Sequence, residues 1–506
     1  MKGKFAAYYP GLLLFIVFLL LGIATYKDYG ISWDEPIQHR LGLLTYNHIF
    51  NGDTTILTDQ DRALGTAFEL PLIFIEKIFN LTDSRDIYFA RHLATHIFFL
   101  ISVFCGYVLA MRLFKAQRLA ILAFLMLALQ PRIYAHSFFN SKDLPFLSAF
   151  LISMLCFHVA FEKRKLLLFV LLGVATAYAT AIRLVGVLWL GAVFLFLLHE
   201  LISHKQNIKT LLQQGAAYLA SFIAALYAFW PYLWDAPFSK IAEGYSNLSH
   251  LASGGKILFN GEILPANPLP ALYMPEWFCI TMPEVWLLTG FTGILLVVIN
   301  NIRKATPVTP GVNKYMILYL CCFIIPPAIL ILTHAAIIDD WRHLYFIYPA
   351  FVMLAVYAIY HLRRPAFVSI IMAVQGIQIA VVCYDFLMFC PQQQVYFNYL
   401  VSHKKETLRK QFDMDYWGCA YLVGLEYILT YDGRPVIKVY GESQLVDNAK
   451  LMLSPSQRKR IIHVWKDEQP DYFITNFRGT IQDYNYPIYY KISRMNSTIM
   501  AVYKMQ

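Results

Sequence analysis

The sequence predicts an α-helical polytopic membrane protein of about eleven transmembrane helices, followed by a small C-terminal α/β soluble domain. Three observations predict it. The 506 residues are 58% hydrophobic and only 15% charged, with 38 Phe and 34 Tyr, far beyond what a soluble core needs. Apolar runs long enough to cross a bilayer recur through residue 389. After Cys390 the chain changes character, and charged groups such as Lys404-Lys405, Arg458-Lys459-Arg460 and Lys466-Asp467-Glu468 alternate with short apolar stretches.

The apolar runs fall near 8–26, 92–113, 118–134, 144–161, 166–182, 184–200, 213–233, 284–301, 314–333, 343–360 and 366–388. Lys2 and Lys4 precede the first run and no small-residue cleavage pattern follows it, so it is read as a retained helix rather than a signal peptide. Five connectors carry basic residues: Lys115 with Arg118, Glu162-Lys163-Arg164-Lys165, Lys205 with Lys209, Arg303-Lys304 with Lys314, and Arg363-Arg364. All fall on the side of Lys2 and Lys4, which the positive-inside rule makes cytoplasmic. An odd number of spans then puts residues 390–506 outside, on the non-cytoplasmic face. Much of the net charge of +10 sits in these loops, so it reports orientation and gives no case for nucleic acid.

Three outer segments are long enough to hold a site. The first, 27–91, contains Asp34-Glu35 and a half-apolar stretch, 64–81, expected to lie along the interface as an amphipathic helix. The second, 234–283, is rich in proline and aromatic residues, among them Pro265, Pro268, Pro270, Pro275 and Trp277. The third is 390–506, where 435–439 and 472–475 read as strands and Asp432-Gly433 and Ser454-Pro455 as turns. The division is therefore a transmembrane domain, 1–389, and a soluble domain, 390–506. Eight cysteines include five within predicted spans, where they act as small apolar residues. Cys279, Cys390 and Cys419 lie towards the outer side, where an oxidising compartment would permit a Cys390–Cys419 disulfide.

Ionisable residues gather at a few outer helix ends. Trp33-Asp34-Glu35 follows the first span; Pro131-Arg132 through His136, Asn140, Lys142 and Asp143 joins the third and fourth; Asp339-Asp340-Trp341-Arg342-His343 precedes the tenth. Arg91 opens the second span and Arg183 separates the fifth from the sixth. Each has a bland reading. Arg91 and Arg183 would snorkel to headgroups, His136 or His343 would be a satisfied polar residue, and Asp143 or Asp34 would cap a helix. Convergence of carboxylates and cations on one side favours chemistry instead. A lipid-phosphate sugar presents a phosphate leaving group at headgroup level, which Arg and Lys would bind and neutralise. A carboxylate would take the proton of the attacking acceptor, and a divalent cation could share the work on the phosphate.

The pattern resembles the GT-C superfamily of polyprenyl-phosphate-sugar-dependent glycosyltransferases, in the branch of protein O-mannosyltransferases and the aminoarabinose transferase of lipid A. The residues that carry the resemblance are Ser32-Trp33-Asp34-Glu35, Ala90-Arg91-His92-Leu93, Pro131-Arg132 through Asp143-Leu144-Pro145, and Ala266-Asn267-Pro268-Leu269-Pro270 with Thr281-Met282-Pro283. Arg342-His343-Leu344-Tyr345 with Tyr348-Pro349, Gln393 through Asn398, and Asp415-Tyr416-Trp417-Gly418 complete it. The resemblance implies a transferase, with Asp34 as catalytic base, Glu35 beside it, and Asp143 positioning donor phosphate or a metal ion. Lys142, Arg342, His343 and Arg91 are candidates for phosphate contacts, and His136 with Asp143 for a divalent ion. The implied partners are a polyprenyl-phosphate sugar donor and a lipid, glycan or protein acceptor. The chain lacks the large insertion of the eukaryotic mannosyltransferases and the Trp-Trp-Asp signature of oligosaccharyltransferases, which leaves the acceptor open. A transporter or flippase of lipid-linked sugars is the alternative; it predicts charges near mid-bilayer and symmetric broken helices, whereas these charges gather at outer ends.

Overall fold

Every apolar run of the first 389 residues is helical in the computed structural model, which describes residues 6–203, 206–250, 255–303, 310–334, 337–402 and 407–505. Lys2, Lys4, Lys205, Lys304, Lys404 and Lys405 lie outside the described residues. Among the described residues eight helices are long and apolar enough to span a bilayer: Ser84–Phe114, Asp143–Lys163, Leu184–Ile202, Ile208–Phe229, Glu284–Ile302, Gly311–Leu332, Arg342–Tyr360 and Pro365–Phe389. Tyr9–Thr25 and Leu166–Ile182 are apolar but only 17 residues long. The expected run 118–134 is a broken pair, Gln117–Leu129 and Pro131–Phe139, bent by 60°. The expected count of about eleven is reached when these short and broken helices are included.

The bend has a local cause. Pro131 has no N–H to continue the first helix, and the Gln130 side chain accepts a hydrogen bond from Ile133 N at 2.7 Å, starting a second helix in a new direction. That second piece carries Arg132 and His136 sideways into the protein. Helices Tyr348–Tyr360 and Asp143–Lys163 form the centre of the bundle, while Pro365–Phe389 presents most of its surface outward. Close approach at the centre needs glycine: a Cβ on Gly293 would lie 1.9 Å from the Leu354 carbonyl oxygen.

Segment 27–91 folds into helix Glu35–Asn51 packed on helix Glu69–Ile78. The latter is the expected amphipathic helix, shorter than 64–81, and its buried stripe is half acidic: Glu69, Leu72, Ile73 and Glu76. Segment 234–283 contains helix Pro237–His250, a hairpin of strands β1 (Lys256–Phe259) and β2 (Glu262–Pro265), and helix Tyr273–Thr281.

The C-terminal sheet is mixed, with β3 (Ile437–Gly441), β4 (Ile461–Val464), β5 (Tyr472–Thr475), β6 (Ile488–Arg494) and β7 (Ser497–Lys504) in the order β4-β3-β5-β7-β6. β4, β3 and β5 run parallel and β7 antiparallel to its neighbours. Both expected strands are present, as β3 and β5. Ser454-Pro455 starts a helix rather than a plain turn, because Ser454 and Gln457 form a reciprocal capping box on Pro455–Arg460.

The chain does not leave the helical body at Cys390. Asn398 donates to the carbonyls of Cys279 and Met282 at 2.6 and 2.7 Å, and Trp33 N donates to Trp417 O at 3.1 Å. The Asp34 loop and the base of the C-terminal domain are therefore in contact at one end of the bundle. All eight cysteines are free, so the Cys390–Cys419 disulfide is not formed. Cys419 is buried in the turn that packs on Gly30, whereas Cys390 follows helix Pro365–Phe389 and its carbonyl faces Arg494.

Candidate active site

Four chain segments meet at that end of the bundle around the guanidinium of Arg342. One Arg342 nitrogen, Nη1, lies 3.2 Å from Asp143 Oδ2 and 3.5 Å from Asp34 Oδ2, while Nη2 lies 3.3 Å from Asp339 Oδ2. The Trp417 ring covers the guanidinium at 4.5 Å. Arg183 pairs with the other oxygen of Asp143, and its Nη1 approaches His343 Nδ1 at 3.5 Å. Arg478, from the turn after β5, donates to Asp339 Oδ1 at 2.7 Å.

Local structure explains each placement. Asn140 accepts from the backbone N–H groups of Lys142 and Asp143 at 3.2 and 2.8 Å, so Asn140 serves the start of helix Asp143–Lys163 and the Asp143 carboxylate is free to face the arginines. The bland reading of Asp143 as a cap of its span does not hold, because Asn140 makes those bonds. Arg183 follows helix Leu166–Ile182 in extended conformation, which turns its side chain out of the apolar run. Asp339 and Asp340 both adopt left-handed backbone, φ 61° and 62°, a turn that Asp tolerates and that brings Arg342 round to the cluster.

Beneath this layer Asp340 is fully buried, and its Oδ2 accepts from one cation and two phenols: Arg132 Nη1 at 3.0 Å, Tyr416 OH at 2.7 Å and Tyr345 OH at 3.1 Å. Arg132 is fixed in turn by Tyr396 O at 2.7 Å and lies over the adjoining rings of Trp277 and Phe397. This layer ties the third and tenth spans and the C-terminal segment together under Arg342.

Of the three carboxylates on Arg342, Asp34 is the accessible one: 34% of its side chain is exposed, against 1% for Asp143 and 6% for Asp339. Burial of its carboxyl among packed side chains raises its pKa above the ordinary aspartate value; Arg342 opposes the rise and Asp143 and Asp339 reinforce it. Burial pulls Lys142 down to about 7, with Arg183 adding to the effect. Its ammonium donates to Gly65 O at 2.7 Å, and Gly65 must be glycine because a Cβ there would lie 2.0 Å from Ala181 O.

The structure does not bring all the expected residues together. Asp34, Asp143, Arg342 and His343 converge, with Lys142 beside them. Glu35 turns away and is buried, its oxygens held by Ser32 N at 2.8 Å and His92 Nε2 at 3.0 Å. Arg91 is equally buried and is neutralised by Glu69 and, at 3.4 Å, Glu76. His136 is packed between Asn140, Tyr416 and Trp417 at 3.2 to 3.3 Å, and reaches Asp143 only through Asn140. Among the described residues no three His, Cys, Asp or Glu side chains are grouped to hold a metal ion, and the carboxylates are already faced by guanidinia. This donor set does not fit the metal pair expected from Asp143 and His136.

Sequence reasoning did not assign Arg183, Asp339, Asp340, Trp417 or Arg478. Arg183 gave a signal, a lone cation in an otherwise apolar stretch from 166 to 198. Arg478 gave none, lying in an ordinary turn of the soluble domain.

Residues 72–234 match the dolichyl-phosphate-mannose-protein mannosyltransferase family. No curated protein matches the chain by sequence. Among solved structures, the apo oligosaccharyltransferase of Archaeoglobus fulgidus is similar with a TM-score of 0.51 at 12% identity, over 92% of this chain and 70% of that one. ArnT from Cupriavidus metallidurans in the apo state gives a TM-score of 0.50 at 13% identity, over 97% of both chains. The chain has the GT-C glycosyltransferase fold. Within this GT-C fold the matched region, 72–234, supplies Arg91, Lys142, Asp143 and Arg183, while Asp34, Asp339 and Arg342 join it from outside that region. The likeness is one of fold, and the family match covers residues 72–234 alone.

Proposed function

We propose that the protein transfers a sugar from a polyprenyl-phosphate donor to a lipid, glycan or protein acceptor at the outer face of the bacterial inner membrane. The observation that carries this reading is Asp34, a solvent-reaching carboxylate 3.5 Å from a guanidinium cluster at one end of a helical bundle. The description of the matching family, which names a lipid-phosphate sugar, supports the donor class. Basic connectors such as Lys163 to Lys165 and Arg363-Arg364 lie at the far ends of their helices from the cluster, in keeping with an outward-facing site.

In this mechanism Arg342 and Arg183, with Lys142 when protonated, receive the donor phosphate. Asp34 accepts the proton of the acceptor hydroxyl or amine as its oxygen or nitrogen attacks the anomeric carbon. The bond from that carbon to the phosphate oxygen breaks, its electrons stay on the phosphate, and the guanidinia neutralise the charge that develops. A single displacement of this kind inverts the anomeric centre.

Membranes containing the protein, incubated with labelled polyprenyl-phosphate sugars, should transfer label to a second product and release polyprenyl phosphate. Absence of transfer from every such donor, with the protein folded and the donor bound, would remove the reading.

A further inference from the structure

Among the described residues Arg478 is the one cation of the cluster that the C-terminal domain contributes, and the turn carrying it is held at both ends. Residues 476–479 follow β5, at the carboxyl end of the parallel part of the sheet, where open α/β sheets place ligand-binding loops. Asn476 Nδ2 donates to Asp415 O at 2.7 Å and Gly479 N to Asp413 Oδ1 at 2.7 Å, so both ends of the turn are pinned to the segment that bears Trp417. Between them Phe477 has φ 58°, a left-handed conformation that a bulky side chain rarely adopts. The Phe477 ring is buried and carries the Arg409 guanidinium at 4.2 Å. The result of these constraints is that Arg478, 30% exposed, projects to the mouth of the cluster and takes Asp339 Oδ1, while Arg342 takes Asp339 Oδ2.

One carboxylate bridging two guanidinia presents two anionic oxygens to two cationic forks, the pairing that two oxygens of a phosphate can also make. The guanidinia of the cluster are already matched: Asp34, Asp143 and Asp339 face Arg183, Arg342 and Arg478. An incoming phosphate can gain a guanidinium pair only where a carboxylate yields one. Asp143 is held additionally by Asn140, whereas Asp339 is held between Arg342 and the partly exposed Arg478.

We infer that Arg478 is a phosphate-binding residue of this site, and that with Arg342 it clasps the donor phosphate in the place Asp339 holds here. The C-terminal domain thereby completes the site instead of merely covering it. This rests on the proposed donor class, and the test separates the two.

Full-length protein in detergent would be titrated with polyprenyl phosphate and with the uncharged polyprenol of the same chain length. The wild type should prefer the phosphate. Arg478→Ala should weaken polyprenyl phosphate binding by roughly ten- to a hundredfold, the usual weight of a charge-assisted hydrogen-bond pair, and leave polyprenol binding unchanged. Arg478→Lys should restore part of the loss. Asp339→Asn, which keeps a residue tolerant of left-handed backbone, should tighten phosphate binding severalfold. Undiminished phosphate binding in Arg478→Ala, or an equal loss for phosphate and polyprenol, overturns the assignment of Arg478. A wild type without preference for the phosphate overturns the donor class itself.

Discussion

Asp34 and Asp143, 109 positions apart in the sequence, share one nitrogen: Arg342 Nη1 is 3.5 Å from the first and 3.2 Å from the second. The two differ in what else holds them. Asp143 is buried beneath Arg183 and Asn140, so its charge is fully committed, whereas Asp34 meets Arg342 only loosely and reaches solvent. A proton acceptor needs the second situation and a scaffold for guanidinia the first.

Asp34→Asn should therefore lower turnover by about 10²- to 10⁴-fold while donor binding persists. Asp34 occupies the N-cap position of helix Glu35–Asn51, yet its side chain makes no capping hydrogen bond, so the substitution should leave thermal stability within about 0.5 kcal/mol. Turnover near the wild-type value would rule out the base.

The acid limb of kcat/KM should lie above the ordinary aspartate range. A base works only when ionised, so activity rises as pH rises through its pKa, and burial has raised that pKa for Asp34. The limb should disappear in Asp34→Asn. A limb at or below the value of a free aspartate would assign it to another group.

Lys142 should impose the opposite trend on donor affinity. With its pKa pulled down to about 7, it is a cation below that pH and neutral above it, so the donor KM should rise between about pH 6 and 8. Lys142→Arg, which stays charged throughout, should flatten the curve. An unchanged slope in that variant would separate Lys142 from the phosphate.

Arg342→Ala should raise the donor KM at least about tenfold, and it should also destabilise the fold. Three carboxylates lose their shared cation and Trp417 its guanidinium, and breaking such buried pairing typically costs about 3–5 kcal/mol. Arg342→Lys should keep more stability than affinity, because an ammonium cannot reproduce the fork. Wild-type kinetics in both would move the phosphate elsewhere.

Arg91→Ala should instead act on folding. It leaves Glu69 and Glu76 without their buried partner, at a cost of about 3–5 kcal/mol, and should reduce the amount of folded protein without changing the donor KM of what remains. A thermal melt in detergent beside donor kinetics distinguishes this from a binding role.

The amino-acid sequence by itself determined the membrane class, most of the helical runs and two of the C-terminal strands, and it singled out Asp34, Asp143 and Arg342, which the fold brings together. Length and hydropathy act locally, so a window of about 20 residues contains the whole signal. Tertiary structure decided everything that depends on a partner distant in the chain. Glu35, adjacent to Asp34, belongs to His92 and Ser32, because successive residues at a helix start point in different directions. Arg91 and His136 resemble site residues in sequence but are satisfied by Glu69 and by Trp417 with Tyr416. Arg478 reaches the site only because the turn after β5 is tied to 413–417 and that segment to the first loop. A buried charge is stable only where its counter-charge is brought within hydrogen-bonding reach, and that pairing exists only once the chain has folded.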